Sequence, residues 1–174
     1  MGRWLGNTNA TKGAHTASHV SKTINMTKSD RANRVGILCC HFIRNLAFYD
    51  AGWRDGRFIK SDQFWKTLNG NFLDISTLEW CKLFGENKGQ HHWSKVIESP
   101  DFLKTMLADL EVNFTQLDDC IKEMRTYRDR FVAHLDNDEE MQIPKFEIPY
   151  KSTVYLYDTL RSQQFACTNF KVSS

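Results

Sequence analysis

From Val35 onward the apolar positions of this chain fall on helical spacings. Val35, Leu38, Cys39, Phe42, Leu46 and Tyr49 share one face, behind a cap supplied by Ser29-Asp30. The stretch ends near "DAGWRDG", residues 50–56. A second helix is predicted after Lys60-Ser61-Asp62. Its face is Phe64, Leu68, Phe72, Ile75 and Leu78, widened by Trp80, Leu83 and Phe84. Asn69-Gly70-Asn71 is a place for it to bend or break, and "GENKGQ" is a loop by composition. "HHWSKVI" reads as a short helix or turn. Ser99 then caps a further helix with Pro100 at its first position. Here the periodicity is strongest: Leu103, Leu107, Leu110, Phe114, Leu117, Ile121, Met124 and Phe131 alternate steps of four and three. A seam of this period packs lengthwise against other helices. A break near Glu111 to Asn113 would divide it into two helices without changing that reading. "NDEEMQIPKFEIP", with two prolines, is an extended linker over the bundle. A last helix carries Val154, Tyr157, Leu160 and Gln164 on one face. No strand pattern of useful length appears. The fold class is all-α, a bundle of four or five helices spanning residues 29–174.

Residues 1–28 differ in composition. They are rich in Thr, Ser, Asn, Lys and Gly and carry little to bury beyond Trp4, Leu5 and Val20. The reading is a flexible arm. Its Lys12, Lys22, Lys28, His15 and His19 either touch phosphates or are simply solvated.

The length of 174 residues and 41% hydrophobic content suit one domain with its own core, and 12 Phe and 5 Trp supply large side chains to fill it. A formal net charge of +2 argues neither for nor against nucleic acid, so any phosphate site must be a local patch. Five cysteines, with no Cys-x-x-Cys or Cys/His ligand spacing, read as reduced core thiols of a cytoplasmic protein. No metal site and no cofactor is expected. No apolar run is long enough to span a bilayer, and the N-terminus lacks the apolar segment of a secretory signal. P-loop, dinucleotide-binding, zinc-protease and serine-hydrolase motifs are absent from the sequence.

One position breaks the seam of the strongest helical pattern. The step between Met124 and Phe131 is Arg128, a cation on the apolar stripe, and His134 lies further along. Burying a guanidinium costs several kcal/mol, of the order of ~3–5 for an unpaired charge, unless something accepts it. The bland readings are an arginine snorkelling or paired with a carboxylate, and a histidine at a helix C-terminus. On an ideal helix, at roughly 100° per residue, the two side chains sit about 120° apart. Either the helix loosens near His134, or a second copy of the chain completes the site across a two-fold axis.

The segment "YRDRFVAHLD", residues 127–136, resembles the motif of the HEPN superfamily (higher eukaryotes and prokaryotes nucleotide-binding). That motif is an Arg, a polar residue, then a His after a gap of four to six, late in a helix of a small all-α domain. Here Arg128, Asp129 and His134 fill it. The longer flavour, including "LEWCKLFGENKGQHHW", is similar to HEPN-like proteins of the abortive-infection type. The motif covers seven residues; the bundle context extends the likeness loosely over residues 30–165.

The resemblance implies a metal-independent endoribonuclease working as a homodimer, a toxin or antiviral-defence effector with an RNA substrate. In that role His134 is general acid or base at the 2′-hydroxyl or the leaving oxygen. Arg128 holds the scissile phosphate, and Asp129 orients Arg128 or the imidazole. Single-stranded RNA is the expected substrate, giving a 2′,3′-cyclic phosphate and a 5′-hydroxyl. Partners beyond RNA are a neutralising antitoxin or a defence complex. HEPN toxins paired with small nucleotidyltransferases carry a Tyr two residues after the His, whereas this chain has Asp136. Some HEPN domains are non-catalytic, so the alternative is a helical module that binds a nucleotide or a partner protein. Tyr127, Arg130, His91 and His92 are further substrate-binding candidates. Arg130 lies four residues before His134, and the "HHW" rings can stack on bases, or the loop is merely anchored by Trp93. Arg31, Arg34, Arg44, Arg54 and Arg57 form a basic rim or an ordinary solvated face.

Overall fold

The computed structural model describes residues 26–60, 62–132 and 142–169, with side chains to residue 163. Residues 1–25, and with them nearly all of the arm, lie outside the described residues, as do Gln164 and Cys167 as side chains.

Helix α1 runs Lys28–Ala51. Its cap is Thr27, two residues before the Ser29 that the sequence suggested. Thr27 Oγ1 accepts from the Asp30 N–H, and Asp30 Oδ2 accepts from the Thr27 N–H. This reciprocal box satisfies two orphan donors of the first turn. Val35, Cys39, Phe42 and Leu46 are buried as the spacing predicts. Cys40 faces solvent, so only one of the adjacent pair is a core thiol.

After α1 comes an element the hydrophobic pattern did not announce: a hairpin of β1, Trp53–Arg54, and β2, Arg57–Phe58, pairing Trp53 with Phe58. Its turn is Asp55-Gly56, both with positive φ (50° and 71°). Those angles match the twist of two antiparallel strands, and Asp-Gly adopts them readily.

Helix α2, Gln63–Trp80, is capped by Asp62, whose carboxylate accepts from the Trp65 N–H. It passes through Asn69-Gly70-Asn71 without a break. Its buried face is Asn69, Leu73, Ser76, Thr77, Glu79 and Trp80, while Phe64 and Ile75 of the predicted stripe are exposed. The reason is that its polar side chains find partners. Ser76 and Thr77 donate to the Phe72 and Leu73 carbonyls one turn back. Asn69 donates to the Tyr49 carbonyl and accepts from the Trp53 indole. Polar side chains so satisfied can be buried cheaply.

Helix α3, Phe102–Asp109, begins two residues beyond Pro100. Helix α4, Phe114–Tyr127, follows a break at Leu110–Asn113, where Glu111 takes a positive φ of 55°. The long seam is therefore two helices. Asn113 and Gln116 close a second capping box, each side chain accepting from the other's N–H at 2.9 Å. The break resets the phase, so Phe114 is exposed while Leu117, Cys120, Met124 and Tyr127 are buried.

Residues 142–146 form no regular element, with Pro144 buried and Phe146 stacked on Phe42 at 6.3 Å. Helix α5, Glu147–Asn169, takes Pro149 into its first turn rather than leaving it in the linker. A missing N–H costs nothing there. Ser152, Thr153, Leu156 and Leu160 are its buried face.

The described residues are thus all-α apart from one short hairpin. α1 packs on α2 and α5, and α4 packs on α5 and on the end of α2. Trp80, fully buried, joins the layers: it stacks on Phe84 at 5.4 Å, and its indole N–H donates to Ser152 Oγ at 3.1 Å. Among the described residues no helix is long and apolar enough to cross a membrane.

Candidate functional site

Both helices that meet at the site end in a widened turn. α2 continues as a π turn over Cys81–Gly85, and α4 as another over Arg128–Val132. Such turns bond i to i+5 and insert one extra residue into the helical register. α4 therefore loosens from Arg128 onward. The two ends lie side by side: a Cβ on Gly85 would stand 3.6 Å from Arg125 Cγ, an ordinary contact.

Arg128 caps α4, its side chain 15% exposed. Nε donates to Asp129 Oδ1 at 2.8 Å, and Nη1 donates to Glu86 Oε1 at the start of the 86–92 loop. The hydrogen bond to Asp129 pushes the guanidinium pKa further up. The carboxylates are not deep: the Glu86 and Asp129 side chains are 47% and 55% exposed. The cation on the apolar seam thus reaches the surface between two solvated acids, which is why its burial is tolerable.

Arg128 opens onto a groove of about 870 Å³ between the 86–92 loop, α3 and α4. Arg125 and Lys88 bring further positive charge to its walls, Phe114 and Trp93 bring ring faces, and Glu86 and Asp118 bring the opposing charge. His92 lines the same groove but is 5% exposed and occupied. Its Nδ1 accepts from the Ser94 N–H at 3.3 Å and lies 2.8 Å from Ser94 Oγ. Burial lowers its pKa, partly countered by a backbone hydrogen bond to Phe84. The ring is held neutral and caps the 3₁₀ turn Trp93–Lys95.

The other sequence candidates separate. Asp129 lies against Arg128, accepting from its Nε. Arg130 is exposed on the widened turn. Tyr127 is 3% exposed and turned away from the groove. Its hydroxyl donates to Asp74 on α2 at 2.8 Å, and burial first, then that bond, pushes its pKa up. His91 stands on the far side of the loop, in a different pocket. His134 lies outside the described residues.

Three groups of this neighbourhood escaped the sequence reading. Glu86 was loop composition only, although it binds the singled-out arginine. Arg125 lies three residues before Arg128, the i,i+3 spacing that places two side chains on one face. Asp74 sits on α2, 53 residues from the tyrosine it binds. The buried thiols of Cys39, Cys81 and Cys120 are pushed up to about 12, 11 and 12 by burial. They stay protonated and unreactive at neutral pH. No protein-family model, no curated protein and no solved structure matches this chain.

Proposed function

We propose that the chain is a metal-independent endoribonuclease of HEPN type, acting as a homodimer on single-stranded RNA in a toxin or phage-defence role. The observation that carries the reading is the placement of Arg128. It is an arginine on a core seam, at a widened turn, opening onto a groove with Arg125, Lys88 and exposed aromatic surface. Phosphate oxygens suit the guanidinium fork, and the exposed Phe114 ring offers a stacking face to an unpaired base. Glu86 occupies the guanidinium in the absence of RNA, and a phosphate would replace it. His134 supplies the proton transfer at the 2′-hydroxyl, with its partner groups coming from a second copy.

The test is incubation of the purified chain with a fluorogenic single-stranded RNA in excess EDTA. Cleavage with 2′,3′-cyclic phosphate ends, abolished in His134→Ala at unchanged helical content and oligomeric state, supports the reading. Wild-type protein that leaves the RNA intact sinks it. The Arg128–Glu86 bond favours the second reading, a non-catalytic helical module in which Arg128 clamps the 86–92 loop and the groove binds a nucleotide or partner protein. Binding without turnover selects that one.

A further inference from the structure

The loop that walls the groove has a second side. Between it and α1 lies a pocket of about 540 Å³ lined by Arg34, Ile37, Leu38, His41, Lys82 and His91. Glu86 and Gly89 line both spaces, so the loop is their shared wall. The volume is in the usual range for small-molecule sites.

Three observations give this pocket a chemical character. First, Arg34 and Lys82 are exposed, and among the described residues neither is held in an ion pair. Glu86, the carboxylate in the wall, is already bound to Arg128. Second, His91 reports the resulting field: its pKa is lowered by burial and then by Arg34, Lys82 and Arg31. Third, His41 Nδ1 stands 3.4 Å from Glu79 Oε1. Glu79 is 8% exposed, and its other oxygen is buried without a hydrogen-bond partner. The carboxylate therefore holds one ring nitrogen of His41 toward α2, and the His41 ring lines the pocket. Ile37 and Leu38 add an apolar surface beside these cations.

We propose that this pocket binds a phosphate monoester attached to a flat ring, namely a nucleoside 5′-phosphate, either free or as the 5′ end of an RNA. Arg34 and Lys82 take the phosphate oxygens, His41 Nε2 makes a directed hydrogen bond to the same group, and the base lies on Ile37 and Leu38. The proposal does not depend on whether the neighbouring groove cleaves RNA.

Calorimetry on the full chain tests it, with adenosine 5′-monophosphate against adenosine, and with a 2′-O-methylated trinucleotide bearing a 5′-phosphate against its 5′-hydroxyl counterpart. Methylation prevents 2′-hydroxyl attack, so binding is read apart from turnover. In at least one pair the phosphorylated ligand is expected to bind about tenfold tighter or more, as charge-assisted bonds to two cations imply. The Arg34→Ala/Lys82→Ala double variant, exposed and therefore foldable, loses that advantage; Lys104→Ala on α3 keeps it. An advantage confined to the monophosphate identifies a free nucleotide, and one confined to the trinucleotide identifies an RNA end. Equal affinities within both pairs, or an advantage that survives the double variant, overturns the proposal.

Discussion

The two π turns share a backbone geometry and almost nothing else. In the first, Cys81, Leu83, Phe84 and Gly85 are buried and only Lys82 reaches solvent. In the second, Arg128-Asp129-Arg130-Phe131-Val132, no residue is fully buried and three are charged. The first distortion serves packing: it carries the chain off α2 while keeping Phe84 on Trp80. The second serves exposure: it brings a cation from the core seam to the edge of a groove. A widened turn is therefore not by itself a mark of function; its side chains decide what the extra residue achieves.

This contrast predicts opposite consequences for substitutions in the two turns. The largest effect is expected from Phe84→Ala, which empties the space beside Trp80. A loss of about 3–5 kcal/mol, typical of a buried phenylalanine, should be seen in urea unfolding, against about 1 kcal/mol for the half-buried Phe131→Ala. Equal losses would mean that both turns are simply core.

Arg128→Ala should reverse the pattern. Its carboxylate partners are half in water, so stability should fall by no more than about 1–2 kcal/mol. RNA cleavage should fall about 10²–10³-fold, the usual cost of removing one donor to a developing charge. A variant that unfolds but, where folded, still cleaves would return Arg128 to a purely structural role.

Glu86→Gln sharpens the point. It weakens the hold on Arg128 without emptying space, and a pair whose carboxylate is half in water is worth only about 1 kcal/mol. The melting temperature should barely move, while RNA affinity should rise because the phosphate no longer competes with a carboxylate.

Protonation gives a further separation, on the α1–α2 side. Burial raises the Glu79 pKa above its ordinary value of 4.5, outweighing His41, Lys82 and Arg44. The folded state thus binds the proton more tightly than the unfolded chain. The favourable contribution is complete below pH 4.5 and is lost as pH rises through the shifted value. Glu79→Gln should therefore be more stable than wild type at neutral pH, with the difference closing on acidification. The two loop histidines have the opposite sign. Burial lowers both from 6.5, so their contribution is present above that pH and is lost as pH falls through the depressed values.

The smallest effect is expected at Gly85. A Cβ there meets Cys81 at 3.4 Å and Arg125 at 3.6 Å, both ordinary contacts. Gly85→Ala should be near neutral or stabilise by about 0.4–1 kcal/mol through the unfolded chain, read as a small rise in the urea midpoint.

Taken alone, the sequence determined the all-α class and α1 with its buried face, and it marked Glu111 to Asn113 as a place where the long seam could divide. Each rests on local spacing or a local turn, and local geometry is written in neighbouring residues. It also marked Arg128 as out of place on its seam. It misread the buried face of α2, because whether Ser76 and Thr77 can go inside depends on bonds to their own backbone carbonyls, which apolar periodicity does not count. The Asp55-Gly56 turn was legible as turn chemistry but lay between segments too short to show alternation.

Only the tertiary structure decided which groups meet. Glu86 reaches Arg128 across 42 residues, Tyr127 reaches Asp74 across 53, and Glu79 fixes His41 from a neighbouring helix. Such partners are chosen by how helices pack and where their ends widen, and packing depends on the shapes of faces that are distant in sequence. A spacing rule along one helix carries no record of them.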